Sequence, residues 1–385
     1  MKRYKVAIVS DTFLPQVGGL EVHMHDLAEE LTRQGHEAHV ICAEPRQTGV
    51  TAFPVHRLDV PRLPLLNRIG HPESLHVLER TLRDGKYDIV HAHCIFSPLA
   101  HASTYLAAKL GIPSVFTLHS VLAGPAGVLF RLLNERLRWS TWPTILTGVS
   151  RFVADELRKV SGRDDVQVLP NAIRTEAWSS DSVKTEEARV VSVLRMTNRK
   201  RPLDIVRMAP NVLAQLPEEQ WPKFTLIGDG PERARVQREI RKLGLSKHIE
   251  LTGLLSRPQI RELLSRSSVF VLPSYLEALP IAVIEARAAG LPVVARTPNG
   301  VSEIVEHGTH GFLAENTAAF ERYLIKLLRD APLRARISAE TQQNLDRFTW
   351  QRSIERHENM YALASEWFAK RHPSLRGRSS APLSV

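Results

Sequence analysis

Short apolar runs alternate with longer amphipathic stretches along almost the whole chain. Residues 5–10, 38–43, 88–93, 113–118, 144–149 and 166–169 read as strands, and so do 190–194, 224–227, 248–253, 269–272 and 293–295. Several of these runs, such as Val269–Leu272, are β-branched and uninterrupted, as in strands buried on both faces of a parallel sheet. Between them lie segments with a helical period. Leu20, Met24, Leu27, Ala28 and Leu31 share one face of a helix over 20–34, which Gly35 closes. Further helices are expected over 97–110, 128–142, 151–160 and 201–216, from Glu232 onward, over 258–265, from Pro280 to a stop at Gly290, and over 350–371. The alternation predicts an α/β architecture that restarts after a polar, acidic linker at 174–188. The proline-rich stretch 44–73, with Arg46, Arg57, Arg62 and Arg68, is expected to be irregular. The tail 372–385, rich in Ser, Pro and Arg, is expected to be disordered.

Length and composition narrow the class. At 385 residues, 43% apolar and 24% charged, the chain is long enough for two ordinary globular domains. No apolar run approaches the roughly 20 residues that span a bilayer, and no apolar signal region precedes the strand at Lys5. Two cysteines, Cys42 and Cys94, both in expected strands, give no disulfide framework, so a cytoplasmic location is expected. A net charge of +10 suits nucleic acid, an anionic membrane surface or a phosphorylated ligand. No nucleic-acid motif occurs, and nucleic acid is not expected as a partner.

Candidate chemistry gathers around one strand–loop–helix stretch. Pro273 and Ser274 open a loop that holds Glu277, and Glu285 follows eight residues later on a helix. Ligands of open α/β sheets bind beyond the carboxyl ends of strands, and a helix start offers N–H groups and a positive dipole end to a phosphate. The two acids could accept hydrogen bonds from sugar hydroxyls, or they could be solvated surface carboxylates. Arg195 ends the strand at 190–194 and Lys200 follows five residues later. A bidentate fork and a compact charge at that spacing suit a diphosphate, although any basic protein offers surface cations. Gly18-Gly19 precedes the first helix, where glycine allows close backbone approach. The spacing is not Gly-x-Gly-x-x-Gly, which disfavours a dehydrogenase-type dinucleotide site. His91 and His93 share one face of a strand end and could be a metal pair or could bond to backbone. No further ligand cluster at metal spacing is evident near them, so neither metal nor cofactor is expected.

Taken together, Ser274-x-x-Glu277, Glu285-Ala286, Gly290-x-Pro292-Val293-Val294-Ala295 and Asn299-Gly300-x-x-Glu303 resemble the nucleotide-sugar site of retaining glycosyltransferase family 4. Pro15-Gln16-Val17-Gly18-Gly19-Leu20-Glu21 is similar to that family's glycine loop. His91-x-His93, Thr117-x-His119, Arg195…Lys200, Gly228-Asp229-Gly230-Pro231 and Pro170-Asn171-Ala172-Ile173 resemble its later motifs. Asn299, Ala172 and Leu194 stand where the family usually has glycine. The run from His91 to His101 resembles the subgroup that transfers N-acetylglucosamine to phosphatidylinositol.

The resemblance implies the GT-B fold: two doubly wound Rossmann-like domains facing across a cleft. It implies an acceptor-side domain over 1–173, joined by a returning helix at 349–371, and a nucleotide-sugar domain over 189–348. Donor contacts would come from Gly18, Gly19, Arg195, Lys200, Gly253, Leu254, Glu277, Ala278, Leu279, Pro280, Ile281 and Glu285. Glu285 would bond ribose, Glu277 a sugar hydroxyl, and Leu254 would border the base. Glu21, His93 and His119 would serve the acceptor side. His119, Glu277, Arg195 and Lys200 would be catalytic, the two cations neutralising the departing diphosphate. No Asp-x-Asp spacing occurs, and a metal-bridged diphosphate is not needed. The expected reaction is metal-independent, retaining transfer of N-acetylglucosamine from UDP-N-acetylglucosamine to a hydroxyl acceptor: an inositol, a cyclitol or a lipid-linked acceptor. GDP-mannose is the alternative donor. Outside the class stand a non-catalytic carbohydrate- or lipid-binding protein and a sugar-phosphate epimerase. The helix at 128–142, with Arg131, Arg136, Arg138, Trp139 and Trp142, suits peripheral contact with an anionic membrane at its inner face, and reads equally as a core-packing helix.

Overall fold

The computed structural model describes residues 2–16, 18–44, 51–58, 62–63, 68–69, 72–94, 97–179 and 188–371. The expectations for Val17, Arg46, the middle of the linker and the tail fall outside these residues. The chain divides into two compact units: Met1–Asn171 with Trp350–Val385, and Ala172–Thr349. Unit 1 carries β1 (Lys5–Ser10), α1 (Gly19–Arg33), β2 (Glu37–Cys42), β3 (Val55–Arg57), β4 (Arg62–Leu63), β5 (Arg68–Ile69), α2 (Pro72–Gly85), β6 (Ile89–Cys94), α3 (Pro98–Leu110), β7 (Ser114–Leu118), α4 (Pro125–Leu137), β8 (Thr144–Gly148), α5 (Arg151–Ser161) and β9 (Gln167–Val168). Unit 2 carries β10 (Arg189–Val193), α6 (Pro202–Ala214), β11 (Lys223–Ile227), α7 (Arg233–Lys242), β12 (Ile249–Gly253), α8 (Arg257–Ser265), β13 (Val269–Leu272), α9 (Ile281–Ala288), β14 (Val293–Arg296), β15 (Gly311–Ala314), α10 (Thr317–Arg329) and α11 (Ala331–Glu340). The last helix, α12 (Trp350–Arg371), belongs to unit 1.

Among the described residues, unit 1 holds a parallel sheet in the order β3-β2-β1-β6-β7-β8-β9, and unit 2 one in the order β12-β11-β10-β13-β14-β15. Each sheet is wound outward from a central strand, then back and outward the other way. The reversal falls between β1 and β6 in the first sheet and between β10 and β13 in the second. Such reversals open a crevice at the strands' carboxyl ends, where doubly wound folds bind ligands. The central strands are buried throughout, as their apolar runs predict: Val6 to Val9 and Val269 to Leu272 are almost fully covered. On α1 the stripe Met24, Leu27, Ala28 and Leu31 is fully buried, and each of its larger side chains contributes roughly 1.5–3 kcal/mol. α12 packs in the same way. Tyr361 is fully buried, its hydroxyl 3.0 Å from His91 Nδ1, and Glu358 lies 3.0 Å from His36 Nε2.

Several expectations need correction. Residues 55–57 are not irregular: β3 pairs in parallel with β2, and Arg57 donates to the carbonyls of Leu14 and Glu44. Three residues are too few to show a period, so the pairing is visible only in space. A helix that the apolar pattern does not predict, α2, fills Pro72–Gly85. The helix expected over 128–142 starts at Pro125 and ends at Leu137, where Arg138 turns left-handed at φ 50°. Trp139 then drops into the core beside Phe116, Phe130 and His101 and is only 3% exposed, so it is not part of an interfacial face. Val128, Leu129, Leu132 and Leu137 remain more than half exposed on α4. Among the described residues, no helix is long and apolar enough to cross a membrane.

Candidate functional site

In unit 2, two loops leave the sheet at its reversal point. The first, after β10, carries Arg195 and then turns through a short 3-10 segment, Asn198–Lys200. Its path is fixed from the next strand. Gly228 and Gly230 follow β11 with φ of 130° and 155°, and a Cβ on either would strike the carbonyl of Leu194 or Met196. Only glycine relieves both the strain and the clash. The Met196 amide donates to the Asp229 carbonyl at 2.8 Å and the Glu232 amide to the Met196 carbonyl at 2.9 Å. The Gly-x-Gly turn therefore braces the cation-bearing loop. Arg195 is exposed, and its guanidinium makes no hydrogen bond or ion pair among the described residues.

The second loop, after β13, carries Glu277, which is only 4% exposed. Lys200 Nζ donates to both of its carboxylate oxygens, at 2.6 and 2.7 Å. The pair joins the two loops at the carboxyl ends of neighbouring strands. Asn299 and Gly300 hold the second loop from beneath. The buried Asn299 amide donates to the carbonyls of Ser274, Tyr275 and Arg296 at 3.4, 3.2 and 3.1 Å, and its oxygen accepts from the Val301 amide at 2.9 Å. The Gly300 amide donates to the Glu277 carbonyl at 2.9 Å, and a Cβ there would collide with the Ala278 carbonyl. Thus Asn299 ties down the loop. Tyr275 lies between the guanidinium groups of Arg201 and Arg296, each 4.8 Å from its ring centre.

Ala278, Leu279 and Pro280 lead into α9, whose start at Ile281 no side chain caps. Its first turn therefore points N–H groups and a positive dipole end away from the helix. Glu285 is buried on the same helix. Gly253, left-handed at φ 74°, and the exposed Leu254 lie at the end of β12, the edge strand, two strands away from the Lys200 loop. Lys200, Glu277 and the start of α9 therefore cluster, whereas Gly253 and Leu254 stand at the sheet's edge.

In unit 1, the loop after β1 ends at Gly18 and Gly19, the start of α1. Glu21, three residues past the Gly18 cap, folds back over the loop. It accepts from the Thr12 hydroxyl at 2.7 Å and rests against Gly18. At that position a carboxylate steadies the helix start, so this acid already has structural partners. His93 and His119 meet directly: His93 Nδ1 and His119 Nε2 share a hydrogen bond of 2.9 Å. His91 is committed elsewhere, to Tyr361 and, at 2.7 Å, to Thr117. Burial, with the neighbouring imidazoles adding to it, holds His91, His93 and His119 well below the ordinary histidine value, so these rings are neutral at neutral pH. The fold also brings in His23 from α1, its ring 5.5 Å from that of His119, a neighbour that no metal-type spacing in the sequence announces. The sequence signal for it was weak: a buried-face histidine one turn after a glycine loop.

Two parallel-sheet Rossmann-like units are the architecture of the GT-B glycosyltransferases. The chain belongs to that class: residues 17–177 match Glycosyltransferase Family 4 and residues 174–344 match Glycosyl transferases group 1. It is similar to a human protein, one of the subunits of phosphatidylinositol N-acetylglucosaminyltransferase, with 25% identity over 94% of this chain and 76% of the human one. Similarity to Bacillus anthracis N-acetyl-alpha-D-glucosaminyl L-malate synthase is 24% identity over 91% and 95% of the two chains. An Anabaena protein solved with UDP-glucose shares the fold, with a TM-score of 0.71, 18% identity and coverage of 97% and 100%.

Proposed function

We propose that the chain is a retaining glycosyltransferase that moves N-acetylglucosamine from UDP-N-acetylglucosamine to a hydroxyl acceptor: an inositol, a cyclitol or a lipid-linked acceptor. The single observation that carries this reading is the Lys200–Glu277 pair at the reversal point of the unit 2 sheet. A diphosphate leaving group gains charge as the glycosidic bond breaks. Lys200, the exposed Arg195 and the start of α9 supply positive charge and N–H groups for it. Glu277, held by Lys200, is placed to accept a hydrogen bond from a sugar hydroxyl, and Glu285 from the ribose. Gly253 and Leu254 would border the base. Since phosphate oxygens can draw the acceptor proton as the bond breaks, departure on one face keeps the anomeric configuration without a protein nucleophile, and the chemistry needs no metal. Gly18 and Gly19 are assigned to the diphosphate, and Glu21, His93 and His119 to the acceptor side.

The choice of sugar is supported by the relatives: the human protein is named for N-acetylglucosamine transfer to phosphatidylinositol, and the Bacillus protein for an N-acetylglucosaminyl malate product. Their acceptors differ, which is why the acceptor is proposed only as a hydroxyl compound. The exposed leucines of α4 beside Arg131 and Arg136 support peripheral contact with an anionic lipid surface. A thermal-shift panel of UDP- and GDP-sugars tests the donor, since a ligand that binds only the native state raises apparent stability. UDP-N-acetylglucosamine is expected to give the largest shift and slow UDP release. Lys200→Ala should lower that release by about 100-fold or more, the scale of a lost charge contact in the transition state. A larger shift with GDP-mannose would move the reading to a mannosyltransferase, and binding without release would make the protein a sugar binder.

A further inference from the structure

Three elements of unit 1 each bring one histidine to a single point: His23 from α1, His93 from β6 and His119 from the end of β7. One ring nitrogen of each lies within 4.8 Å of the other two. The nitrogens of a tetrahedral zinc site lie about 3.4 Å apart, given bonds of about 2.0–2.1 Å, so modest ring rotations close the cluster. His93 and His119 are already within 2.9 Å. That hydrogen bond uses Nδ1 of His93, the nitrogen that faces His119; Nε2 lies on the opposite side of the ring and takes no part in the cluster. The His23 ring is stacked on Trp350, with centres 5.4 Å apart and planes at 20°. His119 alone of the three is partly exposed, which gives an ion a way in. His91 lies outside the cluster, its nitrogens bonded to Tyr361 and Thr117, whereas His119, which also bonds Asn171, belongs to it. An all-imidazole set suits zinc and not magnesium or calcium, which take oxygen ligands.

We propose that His23, His93 and His119 form a zinc site, and that zinc bound there reversibly inhibits sugar transfer by withdrawing His93 and His119 from the acceptor side. The inhibitory half rests on the function proposed above; the site itself does not. The test uses tag-free, chelator-stripped full-length protein. Titration with Co2+ should give the visible absorption of a tetrahedral site at one equivalent, and Zn2+ should displace it. His23→Asn, in a residue given no part in transfer, should weaken Zn2+ binding by on the order of 100-fold, as loss of a ligand does. The same variant should keep the unstimulated rate of UDP release and lose its sensitivity to Zn2+. Absence of stoichiometric, chelator-reversible Zn2+ binding to the wild-type protein overturns the site, whatever the variant does. Undiminished Zn2+ binding in a folded His23→Asn protein overturns it too. Stoichiometric binding that leaves transfer unchanged keeps the site but overturns the inhibition, and with it the assignment of His93 and His119 to the acceptor.

Discussion

Asn299 shows how one side chain can set the geometry of a loop it does not belong to. Its buried amide serves two carbonyls of the segment before Glu277, those of Ser274 and Tyr275, and that of Arg296, and accepts from the Val301 amide. Asn299→Ala leaves those carbonyls without a donor, and each buried group left unpaired costs about 1–3 kcal/mol. The urea midpoint is therefore expected to fall, and donor-induced thermal stabilisation to fall with it, because Glu277 loses its support. A variant that loses stability while keeping the full donor shift would show that the loop does not depend on Asn299. At this scale the candidate charges were legible through the family resemblance: Arg195, Lys200, Glu277 and Glu285 stand at its motif positions, whereas their spacing alone fits surface charges equally well. Their partners were not. Lys200 and Glu277 are 77 residues apart, and no local pattern encodes a contact over that separation. The same holds for His23, whose neighbours in space come from other elements.

Elements are anchored in ways that the apolar pattern does not reveal. Arg287 is fully buried on α9, yet it donates to the carbonyls of Ile304, Thr341 and Gln343 and so ties the helix to two later segments. Burial lowers its guanidinium to about 10, still well above neutral pH, so it remains charged. Arg287→Met keeps much of the volume but leaves three buried carbonyls unserved. A loss of about 3 kcal/mol or more is expected from chemical denaturation; a loss below about 1 kcal/mol would mean that water replaces the guanidinium. Strands were the elements most readable from sequence, because burial on both faces demands uninterrupted apolar runs. Short or edge elements were less so: β3 has three residues, and the end of α4 depends on where Trp139 finds its pocket. Helical period continues through Arg138, and only packing decides that the chain turns there.

Across the whole molecule, the returning helix makes unit 1 depend on both ends of the chain. Tyr361, Ile354 and Phe368 of α12 are buried in that unit, and Glu358 meets His36. Residues 1–171 expressed alone should therefore expose apolar surface, bind a hydrophobic dye and unfold without a sharp transition. Joining residues 350–371 to that fragment should restore cooperative unfolding. A fragment 1–171 that unfolds sharply by itself would show that the helix is dispensable. Both sheets, by contrast, are built from contiguous α/β alternation, and that part of the architecture follows directly from the order of the segments.

Alternating apolar runs and amphipathic helices were enough to specify two parallel-sheet units and the loops that carry the cations and acids, because burial period and turn residues act over a few neighbours. Which of those groups touch was settled only by folding. The Lys200–Glu277 pair, the Asn299 brace and the meeting of His23 with His93 and His119 each join residues from separate elements, and such contacts exist only once the sheets have fixed where every loop emerges.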